Sequence, residues 1–172
     1  MSQVFYRLDQ FRRARTDTPS DVGLARAAEI LSPKLYDLFS WMLPFEQAHA
    51  IRVMEVLEDA GHDDPDLLAA ALLHDVGKVR HPLHPWERGL AVLVKAILPG
   101  AYQKWSGGEP DGLRAGMVVA AQHAAWGAEM AAEAGADPKV VWLIANHDAD
   151  LGAVSGPDAD KLGELQRVDA VS

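Results

Sequence analysis

Apolar residues recur along this chain at helical spacing, and few segments show the period-two alternation that marks a half-buried strand. The breaks between apolar stretches fall at proline, glycine or a capping Ser or Asp, so helix limits can be read along the chain. An amphipathic helix is expected near 2–16, with Val4, Leu8 and Phe11 on one face. Others follow near 21–31 behind Ser20, and near 33–42 with Pro33 at the first position. The segment near 44–60 opens at Pro44 and stops at Gly61, a glycine placed to end a helix. Next comes 65–76, with Asp64 as cap and Pro65 at its start. Later helices are expected near 86–98, 113–134, 138–147 and 158–171. The Gly- and Pro-rich stretches 106–112 and 152–157 read as the most mobile loops. With no internal repeat and no low-complexity linker, the expectation is an all-α single domain.

The faces of these helices carry a second pattern. His49 shares a face with Phe45, Val53 and Val56, and His123 shares one with Val119, Trp126 and Met130. His147 is in line with Val140, Leu143 and Ile144, while Asp169 follows Leu162 and Leu165. Any one of these groups could be a satisfied core residue. A buried carboxylate is costly unless paired, however, and one metal ion satisfies many inward-facing ligand groups at once.

Three of the seven histidines precede an aspartate, so a His-Asp pair carries little information alone. His62 and Asp63 sit between Gly61 and the cap Asp64, where turn chemistry explains them. The pairs His74-Asp75 and His147-Asp148 instead close apolar helices. A helix C-terminus favours a histidine there but disfavours the carboxylate beside it.

Composition narrows the chemistry. The 172 residues suffice for one buried core, and 49% of them are apolar, as in a globular domain. Cysteine is absent, which removes disulfides and thiolate metal ligands and suits a reducing compartment. Imidazole and carboxylate donors suit Fe, Mn, Zn, Co or Ni, as one or two ions, better than a Ca-selective cage. A net charge of −9 argues against a nucleic-acid polymer as partner, though not against a small nucleotide bound through cations. The first residues lack a long apolar region, and the longest apolar run, 89–98, is short and interrupted by Lys95. A cytoplasmic protein with no transmembrane segment is expected.

The order of these residues resembles the HD-domain superfamily of metal-dependent phosphohydrolases. The resemblance rests on His49 in "FEQAHAIRVMEVLEDAG", His74 and Asp75 in "LLHDVGK", and Asp169 in "LQRVDAVS", and spans roughly 44–171. His123 and His147 resemble the extra ligands of its binuclear branch. The resemblance implies one ion held by His49, His74, Asp75 and Asp169, and a second by a bridging Asp75 with His123 and His147. It implies that Lys78 faces the substrate phosphate, that metal-activated water attacks phosphorus, and that the substrate is a nucleotide or another small phosphoester. Asp75 and Lys78 are thus the expected catalytic residues.

The domain implied is 44–172, with 1–43 as helices packed on it and an inserted segment at about 81–112. No Gly-Tyr-Pro follows the His-Asp pair, so the cyclic-di-nucleotide phosphodiesterase subgroup is not expected. The inserted segment, with Trp86, Tyr102 and Trp105, reads most simply as a helix packed on the bundle; a lid, a homodimer surface or a membrane-surface helix are its alternatives. His81 and His84 either reach toward the site or are explained equally well by their Pro-rich loop, and Arg12, Arg13 and Arg15 read as a solvated helix end. Two other functions fit the ligand set: a di-iron oxygenase of the HD-domain type, and a non-catalytic nucleotide sensor.

Overall fold

The computed structural model describes residues 17–172, so the helix expected at 2–16 and the arginines at 12, 13 and 15 lie outside the described residues. Nine α-helices and no strand are found among the described residues, an all-α fold. They are α1 (Asp21–Ile30), α2 (Pro33–Ser40), α3 (Pro44–Asp59), α4 (Pro65–Leu73), α5 (Pro85–Ile97), α6 (Pro99–Trp105), α7 (Ala115–Glu133), α8 (Pro138–Asn146) and α9 (Ala159–Asp169). The limits follow from local chemistry. Ser20, Asp64 and Asp137 accept hydrogen bonds from backbone N–H groups of the first turns of α1, α4 and α8, and proline stands at the first position of six of the helices. Gly61 and Gly135, at φ +89 in each case, turn the chain after α3 and α7 in a conformation that favours glycine.

The core lies where α3, α4, α8 and α9 converge. Met54, Leu57, Leu72, Leu73, Leu143, Ile144, Leu162 and Leu165 are buried in one continuous cluster. Each such side chain contributes roughly 1.5–3 kcal/mol of burial free energy. Helix α4 is apolar all round because every residue from Leu67 to Leu73 is buried, which explains why its sequence shows no polar stripe.

Two elements depart from the sequence expectation. The helix expected over 65–76 stops at Leu73, and Val76–Arg80 forms a tighter 3-10 turn. Gly77 accounts for this path. A Cβ there would stand 1.9 Å from the His123 carbonyl oxygen and 2.6 Å from the Gly127 nitrogen, so only glycine lets the turn press against α7. The second departure is α6, a short helix at 99–105 that lacks an apolar stripe in the sequence.

Helix α5 rests on α7 through Ala91, Val94 and Met117, where Gly116 admits the Glu87 backbone. It is also clamped to the start of α3. The buried Glu46 carboxylate accepts from the Leu43 backbone N–H at 3.2 Å and from Arg88 Nη2 at 2.8 Å, and the Arg88 guanidinium lies over the Phe45 ring. The other side of α5 leaves Trp86, Val92, Leu93 and Ile97 exposed. The loop after α6, expected to be mobile, is tied down at its start by Gln122 Nε2, which donates to the Ser106 and Gly108 carbonyls.

Candidate metal centre

Helix ends bring the site together. His74 and His147 are the capping residues after α4 and α8, His123 is mid-helix on α7, His49 is on α3, and Asp169 is the last residue of α9. His74, Asp75, His123 and His147 are buried, whereas His49 and Asp169 are partly open. The four imidazoles form a chain of edge-on contacts, with centroids 5.4 Å apart for His49–His74, 5.2 Å for His74–His147 and 5.0 Å for His123–His147.

Three rings are oriented in the same way. Nδ1 of His74, His123 and His147 donates to the backbone carbonyls of Ala71, Val119 and Ile144, at 2.8, 3.1 and 2.8 Å. In the neutral rings that bond fixes the tautomer and leaves a lone pair on each Nε2, directed inward. His123 Nε2 and His147 Nε2 are then 3.1 Å apart with no proton between them in the neutral rings. His74 Nε2 is buried and has no hydrogen-bond partner, since Asp169 Oδ1 stands 3.5 Å away. Orphaned lone pairs facing one another and facing carboxylates call for a cation, so the donor set fits a metal ion.

The donors form two groups, His49, His74 and Asp169 in one and Asp75, His123 and His147 in the other, each with its ligand atoms within 4.8 Å of one another. Asp75 faces both ways. Its Oδ2 lies 3.7 Å from His74 Nε2 and accepts from Lys78 Nζ at 2.5 Å. Its Oδ1 lies 3.3 Å from His123 Nε2 and 3.9 Å from His147 Nε2. Asp169 Oδ1 is paired with His49 Nε2 at 2.8 Å.

Electrostatics match this arrangement. Burial opposes charge on His74, yet Asp75 and Asp169 outweigh it and hold the imidazolium up to about 9. Burial would likewise raise Asp75, but Lys78, His74 and His123 keep its carboxyl well below the ordinary range. Asp169, opposed by burial, is lowered by the hydrogen bond from His49 and by the nearby His74 imidazole. His147 is pushed down to about 4, by burial first and then by the charge of His74.

All six residues expected as ligands therefore converge, and Lys78 reaches Asp75. His81 and His84 belong to neither donor group, and His84 is exposed at the start of α5. His62 lies at the turn after α3, 3.6 Å from Glu164. One acidic residue at the site was not singled out from the sequence. Asp148 Oδ2 lies 3.4 Å from His123 Nε2 and 3.8 Å from His147 Nε2. The available signal was its place beside His147 at a helix C-terminus, where a carboxylate is disfavoured. A cleft of about 230 Å³ opens here, lined by His147, Asp148, Ala149, Gln166 and Asp169. Tyr102 of α6 is also near: its hydroxyl is raised, by burial first and by the charge of Asp148 second.

A helical bundle with a buried His/Asp cluster able to hold a metal ion defines a class of metal-dependent domain. The family model for the HD domain matches residues 47–168, and the chain belongs to that family, whose members are mostly metal-dependent hydrolases. No curated protein and no solved structure matches the chain. No helix among the described residues is long and apolar enough to cross a membrane.

Proposed function

We propose that this protein is a metal-dependent phosphohydrolase that cleaves a nucleotide or another small phosphoester with two divalent ions of the Fe, Mn, Co, Ni or Zn type. The observation that carries the reading is the convergence of lone-pair nitrogens on the two oxygens of Asp75. His49, His74 and Asp169, with Asp75 beside them, would hold one ion, and Asp75, His123 and His147 would hold the other. Bound divalent ions supply Lewis acidity, lowering the pKa of water and neutralising charge that develops on phosphoryl oxygens.

The protein's own residues do the rest. The carbonyls of Ala71, Val119 and Ile144 hold three imidazoles in the ligating tautomer. Lys78, partly exposed and paired with Asp75, offers a fixed positive charge to a non-bridging phosphoryl oxygen. The cleft of about 230 Å³ beside the centre offers room for a small phosphoester. Within the family domain, residues 81–112 form an insertion and 1–43 an N-terminal addition, and the protein works in the cytoplasm.

The test is to strip the protein of metal, add back Mn, Fe, Co or Ni singly, and follow phosphate release from a panel of nucleotides and phosphoesters. Hydrolysis that returns only with metal supports the reading. Full-rate hydrolysis without metal, or oxygen consumption in place of hydrolysis, contradicts it.

A further inference from the structure

We propose that the outer face of α5, together with the adjoining α6, docks the protein on an anionic lipid surface without spanning it. The face holds none of the metal donors, so the proposal stands independently of the hydrolytic reading.

A helix lying on a bundle normally turns one apolar stripe inward and a polar one to water. Helix α5 turns apolar residues both ways. Ala91 and Val94 are buried against Met117 of α7. On the opposite side Trp86, Gly89, Val92, Leu93, Ala96 and Ile97 are all exposed, and none of them is charged or an amide. Val92 and Ile97 are 61% and 65% exposed, so this face is uncovered rather than half-packed. Exposed Leu98 continues it past the helix end. Trp86 at the start of α5 and Trp105 at the end of α6 are exposed as well. A tryptophan at each end of an apolar strip suits the headgroup boundary, where the ring meets apolar and wet surroundings at once.

Charge selects the occupant. The chain has a net charge of −9, yet residues 88–108 contain Arg88, Lys95 and Lys104 and no Asp or Glu. Arg88 is held by Glu46. Lys95 and Lys104 are exposed and pair with no carboxylate among the described residues, where the lysine ion pairs belong to Lys78, Lys139 and Lys161. Lys95 Nζ lies 5.6 Å from the centroid of the Tyr102 ring, which sets its charge between α5 and α6. Two such ammonium groups beside an apolar face match the negative surface of a cytoplasmic leaflet. A second copy of the chain fits less well. In a two-fold interface the same residues meet from both sides, so lysines would face lysines with no carboxylate from 88 to 108 to pair with.

The experiment is co-sedimentation of the full chain with vesicles of phosphatidylcholine alone and of phosphatidylcholine mixed equally with phosphatidylglycerol, with tryptophan emission as a second readout. The wild type is expected to pellet with the mixed vesicles, to release as salt is raised, and to shift its emission to the blue. Little should pellet with phosphatidylcholine alone. Leu93→Gln with Ile97→Gln should lower the partition coefficient by about tenfold or more, and Lys95→Gln with Lys104→Gln by about tenfold. All four side chains are exposed, so circular dichroism and urea unfolding of both variants should match the wild type. No pelleting with the mixed vesicles overturns the proposal, as do equal pelleting with both vesicle types and wild-type partitioning of the glutamine variants. A dimer that forms without vesicles, and that Leu93→Gln with Ile97→Gln dissociates in analytical ultracentrifugation, assigns the face to a second copy and overturns it as well.

Discussion

His123 and His147 hold their Nε2 atoms 3.1 Å apart, although each ring commits its Nδ1–H to a backbone carbonyl of the preceding turn. Two neutral imidazoles so tethered present lone pair to lone pair, an arrangement that repels unless a cation lies between them. A proton on His147 is opposed by burial first and by the charge of His74 second. A divalent ion meets the need of both rings and of Asp75 together.

Removing one ring should therefore remove one ion. His147→Ala is expected to bind a single Mn(II) per chain, with the His49, His74 and Asp169 group intact, and to lose hydrolysis. Metal content by mass spectrometry checks this, and two ions retained at unchanged affinity would contradict it.

Lys78 carries charge without ligating. Its ammonium sits on Asp75 Oδ2, so Lys78→Ala should keep both ions while kcat/KM falls by about 10²-fold, the order expected for loss of one preorganised charge. Steady-state kinetics on metal-loaded protein, with metal content measured in the same samples, separate the two effects.

Glycines differ sharply in what they tolerate. Gly77→Ala drives a Cβ into the His123 backbone and should cost about 3 kcal/mol, with metal affinity lost alongside. Gly89 lies inside α5 with open space where its Cβ would be, so Gly89→Ala should stabilise the fold by about 0.5–1 kcal/mol. Urea unfolding of the two variants should move in opposite directions.

Asp64 caps α4 and accepts from Lys161 Nζ at 2.6 Å, and that hydrogen bond is the largest influence lowering its carboxyl. Asp64→Ala should cost about 1 kcal/mol at pH 7. Because the folded value is depressed, this contribution is complete above the unfolded carboxylate value and fades as pH falls through the folded one. The gap between variant and wild type in urea unfolding should thus narrow in acid, and a gap that widens would contradict the assignment.

Much of this site is legible in the sequence because its residues lie on helices, where periodicity fixes direction. His123 among Val119 and the apolar turns of α7, and Asp169 after Leu162 and Leu165, are aimed inward by spacing alone. Val56, grouped with His49 on the expected buried face, is instead exposed, since the stripe on α3 runs through Ala50, Val53, Met54 and Leu57. Asp148 escapes the argument because it follows the end of α8, where no period applies. Helix α6 escapes it because Pro99–Trp105 has no buried residue of its own and is specified by packing on α5 and α7.

The most direct test is anomalous diffraction from crystals of the Mn(II)-loaded protein. The account predicts two peaks flanking Asp75, one among His49, His74 and Asp169 and the other between His123 and His147. A metal-loaded crystal with no peak at either group would contradict it.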